Sequence, residues 1–379
     1  MKIARLLCVV AALLSVATES FGASSGRSPE FFGYNNNLSI SSRQGITAEA
    51  AMLGAKGGMK WSRYTLYWNR VNPEPGVYDW SQVDQQLQVT YDAGGVVYVN
   101  LKWAPAHAAE GRNTYLPFYC MKLDGSEPDG FDRSKPDCTD PAPLDSAKLR
   151  TVIREFLTSH VLDVKAGRIA AFGCFNEPAD QIYWPPGSPQ ELVDRVLRPC
   201  AEEVRKFRKE NRISAAKLPI VGPEEIDPAN LERIFKLEEA GKISLFDVVS
   251  FHLYHGPKGM EYPVGPLTFY DHRYRPLIER YGANRPVWIT ETGAKPLGET
   301  FADLRDQGVR LVSMLSELEA RRTFVVKSGG KNITRRGVEK IFIYKLVAGS
   351  CPGSEYTLLD CTGKVKPSYR QVKAFILGK

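Results

Sequence analysis

Eight short apolar runs of β type punctuate the chain, at 31–34, 59–64, 96–101, 169–175, 218–221, 247–251, 286–290 and 340–344. Longer segments with helical patterning lie between them, most clearly at 80–91, 147–162, 190–209, 230–240 and 302–321. In the last of these, Leu304, Val309, Val312, Leu315 and Leu318 fall broadly on one side, with Glu and Arg on the rest. Strict alternation of this kind constrains the fold more than any other feature. A strand that runs parallel to its predecessor needs a crossover of a dozen or more residues, usually a helix. The alternation therefore predicts a parallel sheet. An open doubly wound sheet would usually carry a glycine-rich phosphate turn after its first strand, and the sequence has none there. The expected fold is α/β, a closed (β/α)8 TIM barrel. No linker and no internal repeat divides the 379 residues, so a single domain is expected.

The N-terminus reads as a signal peptide covering 1–22. Lys2 and Arg5 precede an apolar stretch at 6–16 that is too short to span a bilayer, and the small residues Ser20 and Gly22 follow. The mature chain would be 23–379, secreted or periplasmic, with no stable membrane insertion. Removing the leader takes Cys8 and leaves Cys120, Cys138, Cys174, Cys200, Cys351 and Cys361, an even number that fits disulfides in an exported protein. Spacing favours Cys120–Cys138 and Cys351–Cys361. Strand alternation turns Cys174 away from the barrel interior toward the following helix, where Cys200 lies; a pair of buried thiols is the alternative. Metal-ligand spacings of the C-x2-C or H-x3-H type do not occur, and the acidic stretch 124–132 does not match a calcium loop, so no metal or cofactor is expected. The formal net charge of +7 comes from scattered basic residues that follow no nucleic-acid-binding motif. It reads as a solvated surface, with an anionic polysaccharide partner as the alternative. A long connection at about 104–146, rich in Pro, Gly and Asp, follows the third run; loops of that length in compact domains are usually functional or disordered. The chain reads as a monomer.

Active sites of barrels sit where the strands end at their C-terminal face. The fourth apolar run leads into Asn176-Glu177-Pro178, and the seventh into Glu291-Thr292-Gly293. The sixth ends in Ser250-Phe251-His252-Leu253-Tyr254-His255, and the second carries Arg63 at its end. Two carboxylates, an Arg, a His and a Tyr thus converge on one mouth. Paired carboxylates suit acetal hydrolysis, because one donates a proton to the leaving oxygen while the other, ionised, attacks the sugar carbon. Arg63 and a tyrosine hydroxyl would favour the charged form of Glu291. Taken singly, Asn176-Glu177 would read as a helix N-terminus and Glu291 as a turn residue; the pairing at two strand ends favours chemistry. His252 and Tyr254 are candidates for contacting substrate. Trp103 and Trp184, just past the third and fourth runs, would stack on sugar rings or fill core. Glu224 and Glu225, past the fifth run, read as a solvated loop, with substrate contact as the alternative.

The motifs also carry a resemblance. Asn176-Glu177-Pro178 and Thr290-Glu291-Thr292-Gly293, each after a strand and in this order, resemble the signature of glycoside hydrolase clan A. The likeness runs from Gly33 to Tyr369. The segment Val71-Asn-Pro-Glu-Pro-Gly-Val-Tyr-Asp-Trp80 is similar to the one after the second strand in several families of the clan. Val221-Gly-Pro223 and the stretch from Leu358-Leu-Asp360 to Lys366-Pro367-Ser-Tyr369 look most like family 39 and its exopolysaccharide-hydrolysing relatives. The eighth strand departs from the pattern, ending in Tyr344-Lys345 where many clan members place tryptophan. The resemblance implies a retaining β-glycoside hydrolase acting on an oligo- or polysaccharide. In it Glu177 is the acid/base and Glu291 the nucleophile; the residues expected from their positions to bind substrate are Asn176, Arg63, His252, Tyr254, Trp103 and Trp184. A barrel that binds carbohydrate without catalysis, and a transglycosylase using the same residues, are the alternatives.

Overall fold

The computed structural model describes residues 27–36, 44–102, 104–108, 115–116, 119–122, 144–177, 189–225, 227–255, 266–298, 300–347 and 356–379. Eight strands close into a barrel: β1 Phe32–Asn36, β2 Trp61–Tyr67, β3 Val96–Lys102, β4 Ile169–Gly173, β5 Ile220–Glu225, β6 Val248–His255, β7 Val287–Ala294 and β8 Val338–Ile343. Each strand pairs in parallel with its neighbours in sequence order, and β8 closes the ring on β1. All eight expected runs are barrel strands, because a parallel strand covered on both faces reads as a near-continuous apolar stretch.

The helices start where local chemistry provides for their first backbone N–H groups. Asp145 accepts from Ala147 N at 2.8 Å and begins Ser146–Ser159, which buries Leu149, Val152, Ile153, Phe156 and Leu157. Thr300 and Asp303 form a capping box at the start of Phe301–Glu319. That helix lies rotated from the sequence expectation. Its buried side is Gln307, Leu311, Met314, Leu315 and Leu318, and Val309 is 54% exposed. The terminal helix Pro367–Leu377 covers this side, so the stripe faces two neighbours instead of one. The helix Gln44–Lys56, the helical stretch 266–281 and an antiparallel hairpin (Thr323–Ser328 with Lys331–Arg336) are further elements beyond the expected runs.

Inside the barrel the alternation of inward side chains builds two layers. Near the N-terminal ends of the strands, Trp61, Tyr98, Ala171, Val221, Val248, Trp288 and Phe342 form one buried cluster. Its rings meet edge-on, with Trp61 and Trp288 centroids 5.4 Å apart. Farther up several strands the inward residues turn polar: Asn35, Arg63, Asn100, Ser250 and His252 are all buried.

Cys174, just past β4, is disulfide-bonded to Cys200 in the helix Arg198–Asn211, with Cα atoms 5.7 Å apart. Cys361 is also disulfide-bonded. The expected partners Cys138 and Cys351 lie outside the described residues, as do the leader, Trp103, Trp184 and most of the 104–146 connection. Within that connection Tyr115–Leu116 and Tyr119–Lys122 pair as two short antiparallel strands. No described helix is long and apolar enough to cross a membrane.

Candidate active site

The polar layer opens at the C-terminal end of the barrel, and Arg63 is its hub. The sequence places Arg63 at the end of β2, but the strand continues to Tyr67 and Arg63 lies inside it, its side chain 0% exposed. Register sets Arg63 beside Asn35 of β1 and Tyr98 of β3. Its Nη1 donates to Asn35 Oδ1 at 2.7 Å and to Glu291 Oε1 at 2.9 Å. Its Nη2 donates to Asn176 Oδ1 at 2.6 Å and to Glu224 Oε2 at 2.5 Å, and Nε to Glu224 Oε1 at 3.2 Å. Planar guanidinium geometry suits this fixed fork of donors.

Glu291 comes from β7, one step across the sheet from His252 of β6. Both its oxygens act as acceptors, Oε1 from Arg63 and Oε2 from the Tyr254 hydroxyl. Glu177 follows β4, and the chain there takes φ +48, a left-handed conformation that side chains other than glycine rarely adopt. Most other non-glycine residues with positive φ are helix caps or turn residues; the exceptions are Glu177 and Glu224. Backbone of this kind is found where the surrounding structure fixes a functional side chain. Glu177 Oε2 accepts from Asn176 Nδ2 at 3.0 Å, and Oε1 lies 2.7 Å from His252 Nδ1. One ligand atom each from Glu177, His252 and Glu291 falls within 4.8 Å of the others. Such a trio could hold a cation. On this chain, however, its atoms already face Arg63, the Tyr254 hydroxyl and one another.

Burial raises the Glu177 carboxyl, but the charge and hydrogen bond of His252, with Lys102 and Arg63 beyond, outweigh it and bring it down to about 2. Burial lowers His252, yet Glu291, Glu177 and Glu224 together raise it above its usual 6.5. Both shifts favour the form of the pair in which the imidazole is charged and Glu177 is a carboxylate. Three cationic groups face Glu177, and together they exceed the desolvation penalty.

Sequence reasoning missed a second half of the site. Glu224 is fully buried instead of lying in a solvated loop. Tyr98 and Asn100 both donate to it, one to each oxygen, alongside Arg63. Lys102, next inward on β3, lies among these carboxylates, which oppose the lowering that burial imposes on its ammonium. Glycine at 173 leaves the room this network occupies, for a Cβ there would fall 2.3 Å from the Tyr98 hydroxyl. A signal was present in the sequence. Polar residues at alternate positions of an otherwise apolar strand, as in Tyr98, Asn100 and Lys102, mark the inward side of a barrel strand covered on both faces.

No family model matches the sequence, and no curated protein does. Solved structures share the barrel at low identity. A family 39 glycoside hydrolase from Bacteroides cellulosilyticus WH2 superposes with TM-score 0.60 at 16% identity, over 92% of this chain and 64% of that one. A monomeric β-xylosidase from Caulobacter crescentus CB15 gives 0.63 at 16% identity, over 92% and 69%. An endo-β-1,4-glucanase from Xanthomonas axonopodis pv. citri gives 0.54 at 14% identity, over 92% and 99%. The chain thus spans less than two thirds of the Bacteroides protein. At such identities the likeness carries the fold, and the chemistry has to be argued from the site.

Proposed function

We propose that this protein is a retaining glycoside hydrolase that cleaves O-glycosidic bonds of an oligo- or polysaccharide. The observation that carries the reading is the close approach of Glu177 and Glu291 across the barrel mouth, with carboxylate oxygens no more than 4.8 Å apart. Retaining enzymes hold their carboxyl groups about 5–5.5 Å apart, whereas inverting ones need roughly 6.5–9.5 Å to admit a water. The kinds of protein that share the barrel, a β-xylosidase and glucanase among them, support the same reaction class.

In this reading a Glu291 oxygen attacks the anomeric carbon while the bond to the leaving oxygen breaks. Glu177 delivers a proton to that oxygen, having taken it from His252 Nδ1 along their 2.7 Å contact. Covering the site with a sugar removes water from the Glu177–His252 ion pair, which favours the neutral pair and so the transfer. A water then attacks the glycosyl-enzyme, its proton passes to Glu177, and Glu291 leaves as carboxylate. Asn176, held by Arg63 at one end and touching Glu177 at the other, is positioned to meet the sugar 2-hydroxyl. An exported protein fits the Cys174–Cys200 disulfide, since such bonds persist in oxidising compartments.

The test is stereochemical. Wild-type protein is screened on nitrophenyl glycosides and polymers, with and without acceptor sugars, and early products are followed by NMR. The starting anomer is expected. Glu291→Ala should be inactive, with azide giving product of inverted configuration; Glu177→Ala with azide should give retained configuration from an activated substrate. Wild-type product of the opposite anomer would overturn the mechanism.

A further inference from the structure

The geometry points to Glu224 as a positioning residue: it locks Arg63 in the one orientation that reaches both Glu291 and Asn176, and it takes up part of the Arg63 charge. The inference rests on the glycosidase reading above and extends it to a residue outside the reacting pair.

Four side-chain donors converge on the two Glu224 oxygens. Arg63 Nε and the Tyr98 hydroxyl meet Oε1, while Arg63 Nη2 and Asn100 Nδ2 meet Oε2. The carboxylate and Arg63 are both 0% exposed, so bulk solvent and salt screen this clamp little. A bidentate contact on one edge of a guanidinium fixes its plane. The remaining donor, Nη1, then points at Asn35 and Glu291, and Nη2 reaches Asn176. The backbone is committed to this placement. Glu224 has φ +58, and its N–H donates to Ser250 Oγ at 3.1 Å. A surface glutamate would gain nothing from such a conformation.

The charge argument is separate. Glu291 must attack carbon, and a carboxylate fully compensated by its own Arg is a poorer nucleophile. Sharing Arg63 with Glu224 leaves Glu291 less compensated. Glu224 also acts across the site on His252. That imidazole is faced by Glu177 after β4 at 2.7 Å and by Glu291 on β7 at 3.8 Å, with Glu224 on β5 acting from farther off.

The experiment compares wild type, Glu224→Gln and Glu224→Asp. One arm measures kcat and KM against pH on whichever nitrophenyl glycoside the wild type turns over. The other follows the five histidines by imidazole NMR without substrate. Glu224→Gln keeps the shape and removes the charge. It should lower kcat about 100-fold, the scale of a 1 Å misplacement, with KM changed little. It should also move the alkaline limb of kcat/KM and the His252 titration to lower pH. Glu224→Asp keeps the charge and loses the reach, so its titration should return toward wild type while kcat stays low. If Glu224→Gln fails to fold, Tyr98→Phe, which removes one donor from Glu224, should show a smaller fall in kcat. Wild-type kcat together with an unshifted His252 titration in Glu224→Gln overturns the inference. A wild type inactive on every glycoside removes the glycosidase reading alone, and an unmoved His252 would still sink the coupling.

Discussion

The two layers of the barrel interior lie within a few residues of each other along the chain, and they hold together by opposite means. The lower layer is Trp61, Trp288, Phe342 and their aliphatic neighbours, which need only exclude water. The upper layer is Arg63, Glu224, Glu291, Asn176 and His252, in which each buried charge depends on its partners. Tyr98 belongs to both: its ring packs against Phe342 at 5.7 Å and its hydroxyl donates to Glu224. The contrast teaches that position along a barrel strand separates stability from chemistry. It also shows where they cannot be separated.

The largest effect expected is on turnover. Glu291→Gln should lower kcat by roughly 10^4-fold or more, upward of about 5 kcal/mol of transition-state stabilisation. Its melting temperature should fall little, because Arg63 keeps Glu224. Phe342→Ala one layer below should do the reverse, costing about 3–5 kcal/mol of folding stability while the folded fraction keeps its kcat. Calorimetry beside steady-state kinetics checks the pair, and a Phe342→Ala protein that folds well but has lost kcat would merge the layers.

Arg63→Ala marks where the contrast breaks. Read from sequence alone, it removes a charge beside the nucleophile and should spare the fold. In the structure it also removes the ion-pair partner that Glu224 holds in a fully buried setting. That costs about 3–5 kcal/mol of stability, measurable by urea denaturation, in addition to the loss of turnover. An Arg63→Ala protein of wild-type stability would show that water reaches Glu224.

The smallest effect is on the pH dependence of stability. His252 is raised above 6.5, so its contribution is complete below that value and fades as pH climbs through the raised pKa. Glu177 is brought from 4.5 to about 2, so its contribution is complete above 4.5 and fades as pH falls toward 2. The stability lost in His252→Gln should therefore be greatest between about pH 4.5 and 6.5 and shrink on either side. The loss in Phe342→Ala should be flat over the same range. A flat profile for His252→Gln as well would deny the ion pair.

The sequence was most legible where structure is local or uniformly apolar. The strands of the barrel, Glu177 after β4 and Glu291 on β7 need only a pattern within a dozen residues. Glu224 could not be found that way. A carboxylate after Gly222-Pro223 looks like a surface turn, and the partners that bury it, Tyr98 and Arg63, lie 126 and 161 residues earlier. Val309 was misread for a similar reason. Periodicity gives the width of an apolar stripe, but the neighbour that covers one edge of it, here the helix Pro367–Leu377, is set by tertiary packing.

The bond between Cys174 and Cys200 fastens the chain three residues before Glu177 to a helix outside the barrel. Glu177 depends on a left-handed backbone and on a 2.7 Å contact with His252, and neither tolerates slack in the segment that carries it. The tether thus makes the sharpness of the site a property of where the chain matures. Folded among oxidants, the segment is braced from behind. Folded among thiols, the same segment would carry Glu177 on an unsecured arm.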